Sequence, residues 1–105
     1  MNDWQDAEQF VEKAHQFYEE GRLDEAESAL REAITIIPDR AEWHFNLGLT
    51  LEAAGRLADA HRALSRAHEL DPKETNTLQL LGIVCLRLDK VEDAREHLER
   101  AAEIQ

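Results

Sequence analysis

Basic residues are scarce in this chain: 12 Lys and Arg stand against 23 Asp and Glu, for a net charge of −11. A surface that neutralises phosphates needs the opposite balance, so a nucleic-acid backbone is excluded as ligand, and an anionic membrane surface with it. A single cysteine, Cys85, rules out an intramolecular disulfide and makes a reducing compartment the expectation. Long hydrophobic runs are missing as well. The most apolar stretch, LQLLGIVCLRL at 78–88, is too short and too interrupted to span a bilayer. The first ten residues, MNDWQDAEQF, lack a basic region followed by an apolar run, so no signal peptide is expected and the cytoplasm is the expected location. β-Branched residues are few, and strands are not expected. Hydrophobic residues still make up 43% of the chain, which places it among folded domains rather than acidic disordered tails.

What is present is repetition. GRLDEAESAL at 21–30 returns as GRLADAHRAL at 55–64 and loosely as DKVEDAREHL at 89–98, at an interval of 34 residues. Aligned at that interval, residues 7–40, 41–74 and 75–105 form three copies, with residues 1–6 extending the first helix. Copies one and two agree at 10 of 34 positions, mostly Gly, Ala, Leu and Pro, the residues that packing constraints select. Within each copy apolar residues recur at steps of three and four, a helical period. Gly21 and Gly55 divide the copies into halves, where a left-handed residue can end a helix; Asp89 holds that place in the third. Pro38 and Pro72 close the first two copies. The spacing predicts first helices near 4–20, 41–54 and 75–88, and second helices near 24–37, 58–71 and 92–104. Asp39 with Glu42 reads as a capping box, and Asp3 with Asp6 as the start of the first helix at Trp4.

A 34-residue helical hairpin with small residues at Ala14, Gly48 and Gly82, Ala at 26, 60 and 94, Leu at 30, 64 and 98, and Pro at 38 and 72 resembles the tetratricopeptide repeat family. The resemblance covers residues 7–105. Lys13 departs from it, standing where the family favours Leu, and Trp43 precedes the usual aromatic position, held here by His44; Trp43 is expected to wedge against the second helix of copy one. The resemblance implies an all-α solenoid of three antiparallel helix pairs in a right-handed superhelix with a concave groove. Each layer buries its face only against a neighbour.

Chemistry is not evident in these residues. The five histidines fall at different repeat positions, and His61 with His68 lack a third metal ligand. Cys85 occupies a core position and reads as buried and inert. There is no phosphate loop and no nucleophile elbow. The expectation is a non-catalytic chain without cofactor or metal. Pairs such as Glu27–Arg31 read as solvated surface.

In the family resembled, function sits on the first helices. Transferred position by position, the groove is Val11, Glu12, His15 and Tyr18 from copy one, and Phe45, Asn46, Leu49 and Glu52 from copy two. Gln79, Leu80, Ile83 and Leu86 come from copy three. The strip is apolar and its flank acidic through Glu8, Glu12, Glu42 and Glu52, which suits a peptide or amphipathic helix with apolar anchors beside Lys or Arg. The family's clamp for acidic C-terminal tails of chaperones keeps only Asn46 among Val11, His15, Asn46, Asn76 and Leu80, so such a tail is not the expected ligand. A second expectation concerns the end of the array, where Leu81, Cys85, Leu98, Ala101, Ala102 and Ile104 lie on or near an uncovered layer face and make a homo-oligomer the alternative reading.

Overall fold

A computed structural model describes residues 2–105. The chain is all helix: α1 (Asp3–Glu19), α2 (Leu23–Ile36), α3 (Ala41–Ala53), α4 (Leu57–Leu70), α5 (Thr75–Arg87) and α6 (Val91–Ile104). They pair as α1·α2, α3·α4 and α5·α6, and the pairs stack in order through α2·α3 and α4·α5. The stack measures 45 × 25 × 19 Å. Helices begin and end within one residue of the periodicity-based expectation.

The first helix of each pair ends in the same way. Gly21, Gly55 and Asp89 sit at φ 75°, 78° and 61°, in the left-handed region. The residue after each sends its N–H back five positions: Arg22 to the Phe17 carbonyl at 2.8 Å, Arg56 to Leu51 at 2.9 Å, Lys90 to Cys85 at 2.8 Å. This is the Schellman closure, for which glycine is the least strained residue; Asp89 adopts it at a steric cost. At the helix starts the sequence is less direct. Asn2 caps α1, its Oδ1 accepting from the Gln5 N–H at 2.8 Å, so α1 begins at Asp3 rather than Trp4. The capping box expected from Asp39 and Glu42 is absent: Arg40 holds the cap position of α3 without a side-chain bond, leaving Asp39 one residue too early. Arg22 and Arg56 precede α2 and α4, where they bind the first-turn acids Glu25 and Asp59.

Packing within a pair turns on one close approach. A Cβ placed on Gly48 would lie 2.5 Å from Leu64 Cγ, and one on Gly82 would lie 2.6 Å from Leu98 Cγ. Leu30 and Leu64 are 2% and 0% exposed, whereas Leu98 is 38% exposed. The main core cluster runs through Ala14, Leu30, Leu47, Leu51, Leu64, Leu81 and Val84. A second cluster joins Ala7, Val11 and Ala33 to Trp43, which therefore does wedge onto α2. Trp4 lies 6.1 Å from Trp43, and the Arg40 guanidinium stands over both rings, at 4.5 and 5.4 Å. Such cation–π placements contribute about 0.5–1 kcal/mol at exposed sites. His44 fills its aromatic position as a buried residue, its Nε2 donating to the Pro38 carbonyl at 2.8 Å.

The two ends of the stack differ. On the outer side of α1, Gln9, Lys13 and Gln16 are exposed where α3 and α5 bury Trp43, Leu47, Thr50 and Thr77, Leu81, Val84. Lys13 reaches over the Phe10 ring at 5.7 Å and Arg22 over Phe17 at 4.8 Å, so cations cover these aromatic faces. The departure at Lys13 thus belongs to a polar outer side of α1.

Glu27 is more than the solvated half of a helical pair with Arg31. Half-buried, it also accepts from Arg56 at 2.5 Å and ties the first layer to the second. The corresponding place between layers two and three holds His61 near Lys90. Burial holds His61 and His97 below the usual histidine range, with Lys90 and His97 adding to the effect at His61, and His68 to that at His97. His68 lies edge-on to His97 at 6.4 Å, and its buried Nδ1 has no hydrogen-bond partner among the described residues. Cys85 is fully buried and desolvation raises its thiol pKa, in keeping with an inert core role.

Two expectations follow. Gly48→Ala gains up to about 1 kcal/mol of helix propensity but must displace a fully enclosed Leu64, whereas Gly82→Ala meets a leucine free to turn outward. Urea denaturation should therefore place Gly82→Ala above Gly48→Ala by about 1 kcal/mol or more. For pH, a histidine depressed in the fold stabilises fully above the unfolded pKa of about 6.5 and loses that stabilisation progressively as pH falls from there through its lower folded value. The thermal midpoint should decline from pH 6.5 to 5, and His61→Gln with His97→Gln should flatten the decline; an unaltered slope would contradict the assignment.

Candidate peptide groove

The three first helices line one side of the stack, with α3 meeting α5 directly. Between α1 and α3 runs a cleft of about 270 Å³ lined by Val11, Ala14, His15, Tyr18, Glu19, Leu30, Asn46, Leu49 and Thr50. Small-molecule sites are usually larger, about 300–1,000 Å³, so this volume suits a side chain rather than a whole ligand. Its floor is Ala14 over Leu30, the small-on-leucine contact of layer one. Its walls come one helical turn apart from each helix: Val11, Ala14 or His15, and Tyr18 on α1; Asn46 and Leu49 or Thr50 on α3. Thr50 spends its hydroxyl on the Asn46 carbonyl, at 2.8 Å, which leaves its methyl as the apolar surface.

A second hollow of about 490 Å³ adjoins the first at Asn46, which lines both. Phe45 forms its apolar wall. Glu42, Asp71 and Glu74 bring three carboxylates to its rim, and none of them takes part in the salt bridges of the described residues. Glu74 Oε1 accepts from the Asn76 N–H at 3.1 Å, capping α5 and fixing the carboxylate at the mouth. Arg40, the single cation there, is held over the two tryptophan rings. The hollow is therefore acidic beside an apolar cleft.

The structure sorts the expected groove residues into three groups. Val11, His15, Tyr18, Asn46 and Leu49 meet in the cleft, and Phe45 with Asn46 in the second hollow. Val11 is not the exposed residue expected: at 8% exposure it belongs to the Trp43 cluster and offers only an edge. Glu12 is exposed but lines neither hollow, and Gln79, Leu80, Ile83 and Leu86 are also outside both. Leu80 instead packs on the main core. Glu52 was expected to add free negative charge, but Arg87 binds it at 2.5 Å from α5 and neutralises it. At the end of the stack, Leu81, Cys85 and Ala101 are buried at 1%, 0% and 3%, correcting their expected place on an open face; Leu98, Ala102 and Ile104 are exposed. Leu81 and Cys85 point inward because they hold the positions by which α5 packs on layer two.

Asp71 and Glu74 were not anticipated. They lie in the connection from α4 to α5, and no helical period marks them; only the repeat register, which sets the end of one copy beside the start of the next, could have done so.

The family model for the tetratricopeptide repeat matches residues 17–67 and 51–105. The chain belongs to the tetratricopeptide repeat family. That fold serves protein–protein interaction, and solved structures with it align over nearly the whole chain. The first such domain of Spaghetti (RPAP3), bound to the HSP90 peptide SRMEEVD, is 23% identical, with a TM-score of 0.92 over 96% of this chain and 80% of that one. A chain of the CopN–Scc3 complex is 19% identical, with a TM-score of 0.91 over 95% of this chain and 59% of that one. MamA from Desulfovibrio magneticus is 25% identical, with a TM-score of 0.86 over 90% and 54%. At these identities the likeness is one of fold. No curated protein sequence matches the chain. No helix among the described residues is long and apolar enough to cross a membrane.

The Glu52–Arg87 pair is exposed on the arginine side, and such pairs contribute about 0–1 kcal/mol. Arg87→Ala should shift the urea midpoint by no more than that while restoring the free carboxylate. A loss well beyond about 1 kcal/mol would mean that the pair holds α3 to α5 structurally.

Proposed function

We propose that the chain is a non-catalytic adaptor that holds a segment of another protein along α1 and α3. The observation that carries this reading is the pairing of two adjoining hollows of different character, joined at Asn46. The cleft is apolar and takes a side chain; the neighbouring hollow carries three carboxylates without ion-pair partners. A ligand that satisfies both has an apolar anchor with Lys or Arg close by. The two sites lie about one turn apart along α3, or roughly 5.4 Å, which an extended peptide spans with about two residues. Asn46 stands between them with a carboxamide able to bond a peptide backbone.

Acidic tails fit poorly. The Spaghetti domain shares this fold and is bound to a peptide ending in Glu-Glu-Val-Asp. In this chain three carboxylates border the second hollow, and Val11 and Leu80 stand at two positions where the family's clamp has cations. Like charge would repel such a tail.

Panning random 12-residue peptides against the chain should enrich an apolar residue within a few positions of Lys or Arg. Tyr18→Ala and Leu49→Ala should each weaken a selected peptide by about tenfold, equal to roughly 1.4 kcal/mol, with helicity intact. Glu42→Gln with Glu74→Gln should reduce the salt dependence of binding. Enrichment of acidic sequences, competition by SRMEEVD, or affinity indifferent to Leu49 would overturn the proposal.

A further inference from the structure

The acidic hollow beside Phe45 has a counterpart one layer earlier, and the two differ. Thirty-four residues before Ala41, Phe45, Asp71, Glu74 and Thr77 stand Ala7, Val11, Ile37, Arg40 and Trp43. The earlier set closes its joint: Ala7, Val11 and Trp43 share a buried cluster on which Ile37 packs, and Trp43 is 3% exposed. The Arg40 guanidinium lies over the Trp43 ring at 5.4 Å. One layer on, Thr77 takes the place of Trp43, Asp71 that of Ile37 and Glu74 that of Arg40. A flat ring, an aliphatic side chain and a cation are exchanged for a hydroxyl and two carboxylates. The later set borders an open hollow of about 490 Å³.

The lining of this hollow accepts more than it donates. Glu74 gives Oε1 to the Asn76 N–H at 3.1 Å and keeps Oε2. Thr77 is 2% exposed and what remains accessible opens here; its hydroxyl lacks the bond to the carbonyl four residues back that Thr35 and Thr50 make. Asn46 adds a carboxamide oxygen and Phe45 a ring. Arg40 is held over the tryptophan rings, so three carboxylates stand against one engaged cation. An ammonium is a compact, strongly hydrated point charge with three donors, and gains little from a ring beside dispersed acceptors. A guanidinium is flat and weakly hydrated, and it stacks on an aromatic face while its five N–H donors bond carboxylates at the edge. The chain makes that combination with its own arginine elsewhere: Arg22 lies over Phe17 and binds Glu20 and Glu25. Lys13, over Phe10, has no ion-pair partner among the described residues. We infer that the hollow is an arginine subsite, taking the guanidinium of a partner's arginine against Phe45 and among Glu42, Asp71 and Glu74 in preference to lysine. The inference rests on the proposed groove, whose basic ligand residue it names, but a probe without an apolar anchor tests the hollow alone.

In NMR titrations of the isotope-labelled chain, Nα-acetyl-arginine amide should shift the side-chain amide signals of Asn46 and Asn76 and the backbone signal of Thr77, and the shifts should saturate. Nα-acetyl-lysine amide should bind about fivefold or more weakly, and the citrulline analogue, with arginine's shape but no charge, should not bind. Glu42→Gln with Asp71→Asn leaves the Glu74 cap in place and should weaken the arginine probe about tenfold. Glu42→Gln alone, at an exposed position, should give a smaller loss in the same direction and keeps the test valid if the double variant loses helicity. Glu99→Gln with Glu103→Gln makes the same charge change on exposed α6 positions and should leave the probe's binding unchanged. Equal binding of the arginine and lysine probes, shifts that never saturate, or indifference to the Glu42 and Asp71 substitutions would each overturn the arginine subsite. If panned peptides then still depend on Leu49, the groove stands and this inference alone falls.

Discussion

Everything in this molecule is spaced by a leucine resting on a residue with almost no side chain. Leu30 lies over Ala14, Leu64 over Gly48 and Leu98 over Gly82, and these contacts set how near the two helices of a pair can come. A tight pair leaves little of its own surface to bury, so stability passes to the joints between pairs, as stacked repeats require. The degree of enclosure follows position: Leu30 and Leu64 are sealed by the next layer, Leu98 is not. The cleft between α1 and α3 is the place where the same contact, with Ala14 and Leu30 as floor, stays partly open on the side of the first helices.

Charge plays a subordinate and local part. Glu27 with Arg56, and Glu52 with Arg87, cross from one layer to the next, yet each involves an exposed arginine and contributes little alone. Their greater effect is on what the groove offers. By engaging Glu52, Arg87 moves the unpaired negative charge toward the start of α3 and the connection before α5. There Glu42, Asp71 and Glu74 border Phe45. The carboxylates without ion-pair partners thus gather toward one end, with Glu19 also lining the apolar cleft.

Helices were legible from sequence because period and left-handed joints are local properties: Gly21, Gly55 and even Asp89 adopt the backbone their places demand. Trp43 as a wedge and Cys85 as core were legible for the same reason, each being fixed by its repeat position. Caps were not. Asp39 and Glu42 have the right spacing, but α3 starts one residue later than a box requires. Half of the site was readable, in that Val11, His15, Tyr18, Asn46 and Leu49 converge. The misplacements are of long-range origin. Whether Glu52 is free depends on a residue 35 positions away, and whether Leu81 faces solvent depends on which side of α5 layer two occupies.

Lys13 carries a last consequence. Because the outer side of α1 is polar and the outer side of α6 apolar, the array has a direction of growth. An added layer could be joined after α6 with no change to the residues it would cover. An added layer before α1 would first require Gln9, Lys13 and Gln16 to become apolar, and would strip Phe10 and Phe17 of the cations that now shield them.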